Sequence, residues 1–178
     1  MRIEVKYREG LKQLMKSMPL DEINVVMLAK SINSNRQTFY YHFRDISDVL
    51  EAIFLKEKIG ANKRVIDFDS IIKPLIAYIN ANESFLKSVA NSFASEKVEQ
   101  FFYSYFYQKS FEYIKNQHSE NILNKANYVS RYIAAIFSKE MIYYLQDPSK
   151  EKSSHVIKRL TPIWNYLTDQ YLHNKTIK

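Results

Sequence analysis

Asn33-Ser34-Asn35-Arg36-Gln37-Thr38-Phe39-Tyr40-Tyr41-His42-Phe43 is the stretch that decides how this chain is to be read. Phe39 and Phe43 are four residues apart, so on a helix they share a face. Arg36, Gln37, Tyr40, Tyr41 and His42 bring polar groups to the rest of the surface. A helix this short is not stable alone in water. Its phenylalanines must be gripped by neighbours, which leaves the polar groups directed outward to a partner.

The flanking residues supply those neighbours. Tyr7, Leu11, Leu14, Met15 and Met18 recur at three- and four-residue intervals and predict a first amphipathic helix that ends near Pro19. Asp21-Glu22-Ile23 reads as a turn, and Asn24 as the N-cap of a second helix of about two turns. That helix buries Val25, Leu28, Ala29 and Ile32. Asn33-Ser34 is the break after it, because Asn tolerates the left-handed conformation that closes a helix. Asn35 can then cap the third helix. Asp45 or Ser47 can cap a fourth, with Ile46, Val49, Leu50, Ile53 and Phe54 turned inward. Two short helices joined by a tight turn, the second with a polar outer face, form a helix-turn-helix.

Composition agrees with an all-α chain. Hydrophobic residues make up 46% of 178, enough for a sizeable core, and there are only 2 Gly and 4 Pro. Punctuation that sparse argues against a sheet with many tight turns. Cys is absent, which excludes disulfides and thiolate metal sites. The four His, at 42, 118, 155 and 173, have neither HxxxH nor HExxH spacing, so no metal or other cofactor is expected. No apolar signal core and no run of about 18 apolar residues is present, so the expected location is the cytoplasm, with no membrane contact. Net charge is +7, but residues 1–60 hold 10 Lys and Arg against 8 Asp and Glu, and residues 61–178 hold 16 against 11. The basic balance favours phosphate polymers in general; it does not single out the N-terminal end.

Past the polar stretch from Gly60 to Asp67, read as a hinge, the pattern predicts further helices. They span about Ile72–Ala81 (with Pro74 in the first turn), Glu83–Ala94, Ser95–Gln117, Ile122–Gln146 and Lys150–His173. Pro162 is expected to kink or split the last. The division expected is a helix-turn-helix DNA-binding domain over 1–55 and a larger helical domain over 56–178, to which the resemblance described next assigns regulation and dimerisation.

The run Leu28-Ala29-Lys30-Ser31-Ile32-Asn33-Ser34-Asn35-Arg36-Gln37-Thr38-Phe39-Tyr40-Tyr41-His42-Phe43 resembles the N-terminal domain of TetR-type transcriptional regulators. Leu28-Ala29 stands for the family's apolar-Ala pair, Phe39-Tyr40-Tyr41-His42-Phe43 for its Tyr-x-His/Tyr-Phe ending, and Val49-Leu50 for the apolar pair of the fourth helix. The match covers about residues 5–55. Arg36-Gln37-Thr38-Phe39-Tyr40 is also similar to the branch containing dihydroxyacetone-kinase operon regulators. Two positions depart from the pattern. Asn33 replaces the frequent turn Gly, a mild change since Asn accepts positive φ. Ile46 replaces a frequent Lys, which removes a phosphate contact that Arg44 could supply instead.

The resemblance implies a homodimer on a palindromic operator in double-stranded DNA, with the third helix in the major groove. Arg36 can bridge guanine O6/N7 and Gln37 adenine N6/N7. Thr38 can touch a thymine methyl or a phosphate. Tyr40 and His42 correspond to phosphate contacts of the family, Tyr41 reaches base or phosphate, and Asn24 and Asn35 hold the helix starts where phosphates dock.

In the C-terminal half, the aromatic run from Phe101 to Tyr107, with Phe111 and Tyr113, circles a helix. Phe102, Tyr105, Phe106 and Tyr113 are the candidates for a pocket that takes a small apolar or aromatic ligand; a plain aromatic core is the other reading. Two long stripes follow. Phe137, Met141 and Tyr144 in one, and Leu160, Trp164 and Leu167 in the other, are candidates for a four-helix dimer interface; burial within one subunit is the alternative.

The function expected is a transcriptional regulator, a repressor released from its operator by a small molecule. The competing reading is a helical protein-interaction module, or a partner-dependent activator with weak or lost DNA binding, motivated by Ile46 and the weakly basic N-terminal end. An enzyme is not expected: two glycines cannot build a phosphate-cradling loop, and no Cys nucleophile exists.

Overall fold

The computed structural model describes residues 2–60, 64–117, 123–149 and 151–173, with side chains to Asp169. The middle of the stretch read as a hinge, His118, and the side chains of Tyr171 and His173 lie outside the described residues. All regular structure described is helical: α1 (Ile3–Leu14), a 3₁₀ turn (Leu20–Glu22), α2 (Val25–Ser31), α3 (Arg36–His42), α4 (Ile46–Phe54), α5 (Phe68–Ala81), α6 (Glu83–Ala90), α7 (Ser95–Gln117), α8 (Leu123–Gln146) and α9 (Ser153–His173).

The helices fall into two compact units. The first comprises Met1–Lys58 together with Asn82–Val98. Its centre is built from Tyr7, Leu11, Leu28, Phe39, Val49 and Leu50, all without exposed surface. The Tyr7 ring stands edge-on to Phe39 at 5.2 Å and to Phe43 at 5.9 Å, an arrangement aromatic quadrupoles favour. Its hydroxyl lies 2.8 Å from Ser34 Oγ, which ties α1 to the turn before α3. A Cβ on Gly10 would lie 2.6 Å from Ile32 Cγ2, so α1 approaches the end of α2 closely enough that any larger residue there would force Ile32 or the helices to shift.

The segment Asn82–Val98 differs from the expected boundary at 55/56. It joins the first unit through Phe85, 5.9 Å from the Phe54 ring and beneath the Lys12 ammonium, through Lys97 paired with Glu51 at 2.7 Å, and through the Phe93 amide, which donates to Asp21 Oδ1. These contacts link residues up to 72 positions apart, and local pattern does not report them.

The second unit comprises Ile59–Ala81 and Glu99–Lys178. Phe106 stands edge-on to Phe137 at 5.3 Å, Phe68 stacks on Trp164 at 5.3 Å, and Tyr113 lies 5.1 Å from the same indole. The buried Tyr105 hydroxyl donates to the Ile71 carbonyl at 2.7 Å, which satisfies a group otherwise costly to bury.

Several helix limits correct the expected ones. Asp67 Oδ1 accepts from the Ser70 amide, and Ser70 Oγ from the Ile66 and Asp67 amides, so α5 starts one turn early and Pro74 falls inside it rather than in its first turn. α1 closes at Leu14 in a run of turns, and α6 at Ala90. α9 starts at Ser153 and contains Pro162 without a break. The aromatic run of α7 has a clear inner side: Phe102, Tyr105 and Phe106 are buried, Phe101, Tyr103 and Tyr107 are half-buried, and Ser104 is exposed.

Four of the six residues expected at a dimer interface also move. Phe137, Met141 and Leu160 have no exposed surface and Trp164 has 2%, so they pack inside their own unit. Tyr144 and Leu167 are half-buried. The large exposed apolar residues of these two helices, among the described residues, are Leu123, Tyr128, Tyr132, Ile136 and Tyr143 on α8 and Tyr166 on α9.

Candidate nucleic-acid interface

The local chemistry that sets α2 and α3 comes from three asparagines. Asn24 Oδ1 accepts from the Met27 amide at 3.0 Å, and Asn35 Oδ1 from the Thr38 amide at 2.9 Å. Each cap is worth about 1 kcal/mol. Asn33 takes φ 55° between them, and the Ser34 amide reaches back to the Ala29 carbonyl at 2.8 Å. The caps orient both helices, and their carboxamide oxygens are engaged in doing so.

α3 then has two distinct sides. Phe39 is fully buried and Phe43 nearly so, while Arg36 and Gln37 are exposed, Tyr40 is 48% exposed and Tyr41 86% exposed. Thr38 is half-buried. Arg36 is not a free arm: its Nη2 donates to the Tyr40 hydroxyl at 3.4 Å, and its guanidinium lies 5.3 Å from the Tyr40 ring centre. The ring restricts the rotamers of a side chain that would otherwise lose entropy on binding. Arg36 and Tyr40 line one wall of a groove of about 470 Å³ whose other wall is Asn24, Val25, Val26 and Met27 of α2.

His42 and Arg44 are tied back into the domain. His42 Nδ1 lies 3.0 Å from Glu4 Oε1 of α1, and its side chain is 19% exposed. Glu4 is held below the usual carboxylate range, first by a backbone hydrogen bond and further by His42. Arg44 grips Asp48 by Nε to Oδ2 at 2.8 Å and Nη2 to Oδ1 at 2.7 Å, and its own amide also donates to Oδ2. The hydrogen bonds from Arg44 lower the Asp48 carboxyl, and Asp48 raises Arg44. Asp45 rather than Ser47 caps α4, accepting from the Asp48 amide at 2.9 Å. Ile46 is buried at 6% exposure, which explains an apolar residue at the start of α4. Arg36, Gln37, Tyr40 and Tyr41 thus share one open surface, while His42 and Arg44 have partners within the domain. Val26 and Glu4 carry no motif signal; Val26 could have been noticed because it falls off the Val25, Leu28, Ala29, Ile32 stripe.

In the second unit, Phe102 and Phe106 are fully buried, Tyr105 is bonded to Ile71, and Tyr113 borders Trp164. Burial raises the Tyr105 hydroxyl well above its ordinary range; Tyr113 is also raised, by burial first and then by the charges of Asp169 and Asp67. Among the described residues, no group of His, Asp and Glu could hold a metal ion, and no helix is long and apolar enough to cross a membrane.

Residues 67–166 match a family model described as a transcriptional regulator C-terminal region of the TetR type. No curated protein is matched by sequence. The structure is similar to that of a solved protein titled dihydroxyacetone kinase operon activator DhaS, at 21% identity over 95% of this chain and 96% of that one, with a TM-score of 0.63. The family match spans more than half the chain and starts after α4, the last helix of the helix-turn-helix segment. An all-helical N-terminal reading head is thus joined to a family-specific C-terminal region, and the chain belongs to the TetR family of transcriptional regulators, which are transcription factors and not enzymes.

Proposed function

We propose that the chain binds a palindromic operator as a homodimer, reading bases through α3, and that a small molecule in the second unit releases it. The observation that carries this reading is the two-sidedness of α3: Phe39 is wholly buried while Arg36, Gln37, Tyr40 and Tyr41 stand together in the open. Arg and Gln at the first turn of a helix that enters the major groove are suited to guanine and adenine edges. Tyr40 and Tyr41 add phosphate or base contacts, and Thr38 a weaker one. With DNA as the partner, the cytoplasm is the expected location.

A reading head of this size needs a second copy to engage successive grooves. Tyr128, Tyr132, Ile136 and Tyr143 recur along one side of α8, and they support that side, with Tyr166 of α9, as the surface that meets the second copy. The aromatic cluster of Phe102, Tyr105, Phe106 and Tyr113 supports an apolar or aromatic effector that acts by binding two states of the subunit unequally.

Three observations favour a second reading, an activator with weaker DNA contacts. Arg44 is paired with Asp48, and Ile46 is buried where a lysine would have met a phosphate; the similar solved structure is titled an operon activator. A gel shift with duplexes selected from random DNA, run at two salt concentrations, tests the DNA reading. A salt-sensitive, sequence-selective complex is expected; binding equal to that of unrelated DNA would contradict it.

A further inference from the structure

We propose that Val26, on the first helix of the helix-turn-helix, reads the 5-methyl group of a thymine beside the guanine taken by Arg36. A lone exposed valine on a helix is ordinary, but this one is placed. It is 57% exposed and lines the groove of about 470 Å³ that Arg36 and Tyr40 close from α3. The Tyr40 ring and hydroxyl hold the guanidinium at that groove. The groove thus offers a cation with fixed donors next to two branched methyl groups that carry no polar function.

Water gains little from such methyl groups, and a phosphate gains nothing from them. The major-groove edge of a thymine is the part of DNA that matches: it presents a methyl group, and a neighbouring guanine presents O6 and N7 to the arginine. Charge complementarity selects DNA as the occupant, and the apolar wall selects thymine over cytosine. Val26 on α2 would therefore carry sequence information, whereas the first helix of such a motif ordinarily crosses the backbone.

This inference rests on the reading of the chain as an operator binder, and the test separates the two. Duplexes selected from random DNA by the full chain are resynthesised with deoxyuridine at each thymine in turn, which removes the methyl group alone. Affinity is then measured for the unaltered chain and for Val26→Ala, whose exposed position leaves folding intact. One thymine per half-site is expected at which deoxyuridine weakens the unaltered chain about fourfold, the loss of one buried methyl contact, and leaves Val26→Ala unaffected. Selective binding with no sensitive thymine, or with equal sensitivity in both proteins, overturns the role of Val26 while operator binding stands. If neither protein forms a selective complex, both readings fall together.

Discussion

Phe39→Ala should unfold the reading head while leaving the second unit largely intact. Phe39 has no exposed surface, and its ring meets Tyr7 at 5.2 Å, Tyr40 at 5.5 Å and Phe43 at 5.9 Å. Truncating a buried Phe costs about 3–5 kcal/mol, from lost transfer energy and the cavity left behind. Single domains hold only about 5–15 kcal/mol in total, so the variant should retain little of the stability of the first unit. The single Trp of the sequence, Trp164, lies in the second unit. Its fluorescence in a urea titration therefore reports that unit, and hydrogen exchange of α1–α4 amides reports the first. The expected result is a loss of protection throughout α1–α4, with a much smaller shift in the Trp164 transition. Tyr7→Phe keeps the rings and removes only the hydroxyl 2.8 Å from Ser34 Oγ, so its expected cost is about 1 kcal/mol. Unchanged protection in Phe39→Ala, or an equal cost for the two variants, would refute the claim that the aromatic grip holds α3.

Asp48→Asn should release Arg44 from its paired carboxylate and make the dependence of DNA affinity on salt steeper by roughly 0.9 per half-site if the freed guanidinium reaches a phosphate; filter binding over a salt series measures it. The same clamp has a defined pH window. Arg44 lowers the Asp48 carboxyl, so its contribution is present above the ordinary Asp value of 3.8 and is lost as pH falls through the lowered one. Tyr105 behaves in the opposite sense: burial raises its hydroxyl, so the neutral form is the folded form, and stability is lost as pH rises above the ordinary value of 10.0. Tyr105→Phe should cost about 1 kcal/mol at neutral pH through the missing bond to Ile71 and should blunt the alkaline loss, as read from Trp164 fluorescence. Tyr132→Asp, at a site 56% exposed on α8, should give a folded monomer by sedimentation, and a dimer of unchanged affinity would contradict the assignment of that side.

What was legible in the sequence follows the range of the interactions. Asn24, Asn33 and Asn35 could be assigned from sequence because caps and left-handed turns are set within four residues. Phe39 and Phe43 could be assigned to the inner side because four-residue spacing fixes a face. The start of α5 was equally local, in Asp67 and Ser70, but Pro74 suggested a later first turn. The affiliation of α6 and the start of α7 with the first unit depends on Phe85 meeting Phe54 and on Lys97 meeting Glu51, which no periodicity encodes. The burial of Phe137, Met141, Leu160 and Trp164 within their own unit is not encoded by periodicity for a related reason. An apolar stripe on a long helix shows which side avoids water, not whether the cover is the same subunit or another, so Phe137 and Trp164 were indistinguishable in sequence from Tyr132 and Ile136. Likewise the pairing of His42 with Glu4 joins α3 to α1 across a distance that a motif does not span.

The central claim is that the open side of α3 reads DNA sequence. Footprinting of selected duplexes by the unaltered chain and by Arg36→Ala tests it most directly. Two protected half-sites about one helical turn apart are expected, with Arg36→Ala stable to within about 0.5 kcal/mol but losing roughly 1–3 kcal/mol of discrimination at one guanine per half-site. A footprint and a base preference identical in the two proteins would contradict it.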